Sequence, residues 1–504
     1  MNAPPRQVRQ PSRRKIEYIP FARDLETAGG RDLDAIQHEF QAAAQRPLRD
    51  LTDWGVVDID ALTLSLRSRL STELSYALTT YTMLTNLRGA PFLLAQAPDL
   101  YEELLDLIEE VAFGGPEEDA FNPDLDAAIV THRQLMNSVL EAESELFGGL
   151  KSKQGQKDPG ALPHQRPGDI ILCAVNIIRN LSCPTENIDY LAKHRRTLSL
   201  LLRLCTLQSS SDVAAPRPLS EALSVPDLIH LRKDLLLILF NIALNIHFSS
   251  RTPHSPALLR DVRRAFNILA SFVADPTESV PPMQSVRQFN HGNVLRAPQL
   301  VENALEVFNR LSHPDENRLI FAKAVPQESL WAMVEAVVHR LPVTDNDFTI
   351  VVRGDWLAFL ERAALALYSL GFLAPPKLKK RVKTDRHLAF RTVLWRIIRK
   401  LIMTSPPEHR QHWNVIVRRL VETMKVIDDA GDSFDVSSSS TGPILAFGMG
   451  YGEHGETREE KGMGLLSGHQ DEVTWGLLMQ REIFNDEVVF SELTSLARVQ
   501  PLSS

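Results

Sequence analysis

One stretch of this 504-residue chain occurs twice. Ala174–Leu200 (AVNIIRNLSCPTENIDYLAKHRRTLSL) and Ala304–Leu330 (ALEVFNRLSHPDENRLIFAKAVPQESL) align without a gap, at an offset of 130, with 10 identities in 27 positions. The shared pairs include Ala174/Ala304, Leu181/Leu311, Ser182/Ser312, Pro184/Pro314 and Asn187/Asn317. A repeat constrains the fold more than composition does, because each unit leaves an apolar face that only a neighbouring unit can cover. The small Ala lets another helix approach, and the Leu closes a buried stripe. Ser and Pro then stop the helix, since Pro lacks the N–H that would continue it. The Asn is suited to start the next helix as an N-cap. An offset of 130 holds about three helical repeats of 40–47 residues. Weaker echoes lie at Ala77–Leu84 and at Ala363–Leu370, the latter followed by Gly371.

The remaining apolar spacing is also helical. Leu62, Leu66, Leu70, Leu74, Leu78, Tyr81 and Leu84 are three or four apart and form one face of a helix or helix pair over 58–88. Leu100–Phe113 repeats that spacing with acids on its outer face. Val351-Val352 and Val488-Val489 are too short to be strands. Apolar residues make up 44% and charged residues 23%, which excludes a wholly disordered chain. The repeated helix ends look like the third-helix end of armadillo repeats, and this resemblance covers about 170–425 and 57–115. It implies an all-α, armadillo/HEAT-like helical solenoid with an irregular N-terminal arm and a long flexible loop near the C-terminus. The expected divisions are an extended arm at 1–33, N-terminal helical repeats at 34–147 and a linker at 148–169. An armadillo-like helical domain follows at 170–430, then a flexible Gly/Ser-rich loop at 431–470 and a C-terminal helix and tail at 471–504.

The residues for catalysis do not converge. There is no nucleophile elbow, no phosphate-binding P-loop and no zinc-spaced cluster. Gly448-Met449-Gly450-Tyr451-Gly452 neither follows a strand nor opens a helix, so it fails the dinucleotide-binding context. His409 and His412 lack a third ligand and read as surface histidines. Asn176/Asn180 and Asn241/Asn245 sit four apart on apolar helices. Such pairs can line a peptide groove, but bonding to neighbouring loop carbonyls is the preferred reading. Cys173 and Cys183 read as buried small apolar residues. Three cysteines support no disulfide framework. The apolar run Leu235–Phe248 holds Asn241, Asn245 and His247 and falls short of a membrane span, so a buried helix is expected. No cofactor, small-molecule substrate, membrane contact or enzymatic activity is expected.

Charge is unevenly placed. Ala97–His132 has eleven acids and no Lys or Arg. Residues 377–400 hold ten Lys or Arg against Asp385 alone, a local charge of +9 in a chain of net −8. Pro375 and Pro376 break the preceding helix, which is expected to leave Lys377, Lys379, Lys380, Arg381 and Lys383 on an exposed loop. That set is the candidate anionic-surface or nuclear-import patch. Pairing with the acidic stretch at 99–126 would silence both surfaces.

Two N-terminal segments carry a more specific resemblance. They are Arg14–Leu33 (RKIEYIPFARDLETAGGRDL) and Trp54–Leu78 (WGVVDIDALTLSLRSRLSTELSYAL). Ile16, Glu17, Tyr18, Pro20, Arg23, Thr27, Gly29, Gly30, Asp32 and Leu33 match in the first. Asp58, Ile59, Ala61, Leu62, Thr63, Ser65, Leu66 and Ser68 match in the second. Together they resemble the C-terminal half of fungal ARID-containing subunits of SWI/SNF chromatin remodellers. No segment for the ARID precedes the arm, so ARID-type DNA binding is not part of the expectation. The resemblance implies a nuclear, non-catalytic scaffold that binds other remodeller subunits and supports transcription regulation; the charge of the basic segment, and not the resemblance, adds the expectation of non-specific DNA or nucleosome contact. The alternative is a cytoplasmic or nuclear armadillo-type adaptor for peptide or cargo partners. Ile16, Tyr18, Ile19 and Phe21 are apolar ahead of any helical period, and are the candidate tether.

Overall fold

Apolar residues three and four apart become helices throughout the chain. The computed structural model describes residues 27–28, 31–32, 34–35, 37–38, 56–86, 91–115, 129–144, 166–208, 216–248, 255–274, 297–351, 355–404, 407–434 and 463–499. Contacts divide the chain into Met1–Asp58 and Ile59–Ser504. The first unit holds a two-residue antiparallel ladder, β1 (Thr27–Ala28) with β2 (Arg31–Asp32), in the register Thr27 to Asp32 and Ala28 to Arg31.

The second unit is all-α. It opens with α1 (Ile59–Ser68) and α2 (Ser71–Thr85). They are parted at Arg69, whose φ of 56° no helix tolerates, so 58–88 is a helix pair. A one-turn 3₁₀ helix at Leu94–Gln96 leads into α3 (Pro98–Phe113), and α4 (His132–Ser144) follows. Then come α5 (Pro167–Leu181), α6 (Thr185–Lys193) and α7 (Arg195–Leu204). Next are α8 (Val225–Ile242), a 3₁₀ turn at Ala243–Asn245, and α9 (Pro256–Val273). The second copy of the repeat supplies α10 (Gln299–Leu311), α11 (Asp315–Ala324) and α12 (Gln327–His339). After α13 (Asp345–Val351) come α14 (Asp355–Leu373), α15 (Pro376–Thr384) and α16 (Phe390–Arg399). The array ends with α17 (Pro407–Asp429), α18 (Arg481–Phe484) and α19 (Glu487–Leu496).

Local chemistry sets these boundaries. Proline stands in the first two positions of α3, α5, α8, α9 and α15, where its missing N–H costs nothing. Ser224 and Asp227 form a capping box at the start of α8. The apolar run at 235–248 is the end of α8 and its 3₁₀ turn, with Leu235, Leu236, Ile238, Leu239 and Ile242 buried.

Packing makes the array a solenoid. The helices α2, α5, α8, α10, α14 and α17 form a ridge, each against the next. A second layer, α3, α7, α9 and α12, does the same. The two copies of the repeat therefore lie two ridge helices apart, α5 to α10 with α8 between them. The 130-residue offset spans two units and not three. The first four units alternate. Those built on α2 and α8 reduce their short second helix to a 3₁₀ turn, and those on α5 and α10 keep it whole as α6 and α11.

The repeated residues have matching roles. Ala174 and Ala304 are fully buried, and Leu181 and Leu311 are each 1% exposed. Ser182 and Ser312 are buried, each hydroxyl donating to the carbonyl three residues back. Asn187 and Asn317 are not N-caps. They occupy the third position of α6 and α11, and Pro184 and Pro314 stand at the cap. The Asn187 Oδ1 accepts from the Leu94 N–H at 3.0 Å, and its Nδ2 donates to the Phe92 carbonyl at 2.8 Å and the Leu181 carbonyl at 3.1 Å. Asn317 does the same to the Phe248 N–H (2.8 Å), the Ile246 carbonyl (3.0 Å) and the Leu311 carbonyl (2.9 Å). Each amide thus pairs with an extended step of the preceding unit as a strand would, and also holds the end of its own ridge helix.

Buried arginines serve the same end. Arg232 donates to the Cys205 carbonyl, Arg263 to the Ala324 carbonyl, and Arg340 to the Val273 carbonyl. Each answers a carbonyl left unpaired where another helix ends.

Leu181→Ala or Leu311→Ala should lower unfolding stability by ~2–5 kcal/mol. Asn187→Ala or Asn317→Ala, which strands three buried backbone groups, should lower it by about 3 kcal/mol. Denaturant titration checks both, and a loss below about 1 kcal/mol at all four positions would contradict the equivalence of the two copies.

Candidate functional site

The basic segment is helical where a loop was expected. The two prolines start α15 instead of leaving the chain irregular, since Pro is well tolerated at a first turn. The helix buries Leu378, Lys379 and Val382. Lys379 is 2% exposed, and its Nζ donates to the Gly431 carbonyl at 2.8 Å and the Ser433 hydroxyl at 2.7 Å. Lys383 pairs at 2.7 Å with Asp428 of α17, a buried carboxylate that also meets Arg498 at 2.8 Å. Arg381 pairs with Glu328 at 3.0 Å, and its guanidinium lies 3.9 Å above the Trp331 ring. Three of the five predicted patch residues therefore hold the fold together. Lys377 and Lys380 are exposed. Of the rest of the segment, Arg396 and Lys400 pair with Asp345 and Arg399 with Glu472.

The described acids of the acidic stretch, those on α3, pair elsewhere than with this segment. On α3, Glu103 pairs with Arg67, Glu110 with Arg69, and Glu109 with Arg196. Glu102 meets Arg196 and His194. These contacts tie α3 to the end of α1 and to α7. The paired asparagines bridge units through side chains and not through loop carbonyls: Asn241 donates to Ser182 and Asn245 to Asp189, with Asn180 reaching Thr85 at 3.4 Å. Cys183 is exposed and Cys173 half-buried, which corrects the expectation for both, while Cys205 is buried and its thiol is pushed up to about 12 by that burial. The candidate tether, Ile16, Tyr18, Ile19 and Phe21, lies outside the described residues, as do the His409 and His412 side chains and the Gly448–Gly452 run. Among the described residues no group of His, Cys, Asp or Glu is placed to hold a metal.

A surface that the sequence reading did not mark lies at the C-terminal end. Of the 431–470 stretch expected to be a flexible loop, 431–434 and 463–470 are described, and there Leu465 and Leu466 are buried. The Gly464 and Leu466 N–H groups bond to the Arg498 and Leu496 carbonyls. A π-helical turn at Glu472–Leu477 follows. It leaves Trp475 72% exposed, with Met479 and Phe484 exposed beyond it. Gly476 faces Met403, also exposed, across 3.8 Å from where a Cβ would stand. Only their size and their poor helical periodicity could have marked these residues in the sequence.

Lys379→Glu or Lys383→Glu should destabilise the protein by about 3 kcal/mol, because the first puts an unpaired carboxylate at a buried position and the second strands the buried Asp428. Lys377→Glu and Lys380→Glu should stay within about 0.5 kcal/mol. Thermal or denaturant unfolding of the four variants separates the two classes. Glu492 of α19 adds a pH dependence. Burial, and then the nearby Glu422, push its carboxyl up to about 7. A raised acid favours the neutral form, so its contribution is complete below the ordinary value of 4.5 and is lost as pH rises through about 7. Glu492→Gln should remove that part of the decline in stability with rising pH.

Comparison with known proteins gives no match to a protein-family model. Over 241 residues, 46% of this chain, the sequence is 24% identical to the SWI/SNF chromatin-remodeling complex subunit sol1 of Schizosaccharomyces pombe. The match spans 27% of that protein's length. Among solved structures, a designed armadillo repeat protein aligns over 73% of this chain and 100% of its own, at 12% identity and a TM-score of 0.29. A second engineered protein aligns over 88% of this chain and 98% of its own, at 13% identity and a TM-score of 0.24. The chain is thus similar in sequence to part of a SWI/SNF subunit, and its own helix packing makes it an all-α solenoid.

Proposed function

We propose that this protein is a nuclear, non-catalytic scaffold subunit of a SWI/SNF-type chromatin-remodelling complex, acting through contacts with other subunits. The observation that carries this reading is the similarity over 241 residues to a subunit of such a complex. The fold supports it. A solenoid presents an extended surface held by nearest-neighbour packing, which suits binding several partners at once. The exposed Trp475, Met479, Phe484 and Met403 support it further. Large exposed apolar side chains are what a protein contact covers, and aromatic residues dominate the energetics of such contacts. In this reading the arm at 14–33 tethers the subunit to its own array or to a neighbour, through Ile16, Tyr18, Ile19 and Phe21.

Affinity purification of the tagged native protein tests the reading. The expected result is co-purification of remodeller subunits, including an ATPase. Deletion of 1–33, and separately Trp475→Ser with Phe484→Ser, should each weaken that recovery several-fold while far-UV circular dichroism stays nearly unchanged. Recovery of cytoplasmic transport or signalling proteins in place of remodeller subunits would favour the adaptor reading and overturn this one.

A further inference from the structure

The basic segment carries ten cations, and the structure sorts them. Six are committed: Lys379, Arg381, Lys383, Arg396, Arg399 and Lys400 each have a partner. The other four are Lys377, Lys380, Arg386 and Arg391. All four are exposed, and none has a side-chain partner among the described residues. Lys377 and Lys380 are three apart on α15, about 4.5 Å along its axis, and so share a face. Arg386 and Arg391 flank the turn into α16. Asp385, the one acid there, accepts the Leu388 N–H at 2.8 Å.

Beside this face is a cavity of about 470 Å³ whose lining includes Arg386, Arg391, Thr392 and Ser467, together with Asp385 and the exposed Met463. The first turn of α16 also lines it, and Ala389, which precedes that turn, gives it no side-chain cap. The donors here are two guanidinium groups, two hydroxyls and two ammonium groups on the adjoining helix face. They are suited to a compact anion that accepts several bonds, such as a phosphate diester.

What is missing from the face decides between partners. Among the described residues of 377–392 no large apolar side chain is exposed. A protein partner, even an acidic one, needs buried apolar or aromatic anchors for affinity. The C-terminal surface has exposed aromatic anchors, whereas among the described residues of this face and its cavity no aromatic side chain is exposed and Met463 is the one exposed large apolar side chain. Phosphate contacts need only charge and donors. We infer that Lys377, Lys380, Arg386 and Arg391 form a contact for the phosphodiester backbone of duplex DNA, with no reading of base sequence. The inference stands apart from complex membership, because the face belongs to this chain alone.

The test is fluorescence anisotropy of the full chain with a random-sequence duplex of about 20 base pairs, across a salt series. Log K should fall by about 0.9 per phosphate contact per decade of salt, close to 3.6 if all four cations engage. The variant with Lys377→Gln, Lys380→Gln, Arg386→Gln and Arg391→Gln should lose most of that slope and bind at least tenfold more weakly at low salt, equally on an unrelated sequence. Lys377→Arg with Lys380→Arg should keep both slope and affinity. Circular dichroism and melting temperature establish that the quadruple variant is folded. An unchanged slope and affinity in that variant would overturn the inference. So would binding of a poly-glutamate peptide, lost in the same variant, by a chain that does not bind DNA.

Discussion

Two buried amides set the register of the array. Asn187 and Asn317 each reach back to an extended step of the preceding unit and across to the end of their own ridge helix, with all three bonds between 2.8 and 3.1 Å. Apolar packing alone is tolerant of sliding, because it is non-directional. An amide that matches one N–H and one carbonyl two residues apart is not. If the units slid, the four backbone groups of Phe92, Leu94, Ile246 and Phe248 that the amides answer would be left without partners, at about 1–3 kcal/mol each where buried. The leucine and alanine stripes therefore supply the attraction between ridge helices, and the asparagines select the alignment. The arginines that answer helix-end carbonyls extend the same logic to the second layer.

This division explains why the repeat surfaces in the sequence at 130 residues and not near 40. An asparagine is needed only where a whole short helix faces a 3₁₀ turn in the unit before it. The first four units alternate in kind, so the recurring motif skips one. At α15 there is no asparagine, and the buried Lys379 bonds instead to the segment after α17. The closing unit is fastened by charge where the earlier ones are fastened by amides, and Asp428 gathers Lys383 and Arg498 there.

Much of the architecture could be read from residue order alone. Ala, Leu and Ser positions at the ends of α5 and α10 were apparent because burial there depends on spacing within one helix. The asparagine was visible as a shared residue, but its role was not, since its partners Phe92 and Leu94 lie more than 90 positions away. The basic segment misled for the same reason. A charge count over 377–400 cannot register that Asp428, Gly431 and Ser433 return to meet it. What counting identified was the region, and what the fold supplies is which four cations have no side-chain partner among the described residues. The exposed Trp475 and Phe484 broke the helical spacing of the sequence, but weak periodicity alone does not say that a side chain is left on a surface.

Amide hydrogen exchange at Leu94 and Phe248 tests the central claim most directly. Leu94 opens a one-turn 3₁₀ helix and Phe248 lies beyond another, so among the described residues the asparagine Oδ1 is the acceptor for each N–H. Both amides should exchange as slowly as helix-interior amides such as those of Ala174 and Ala304. Exchange at the rate of freely exposed loop amides would contradict the account, because the units would then be held by apolar contact alone.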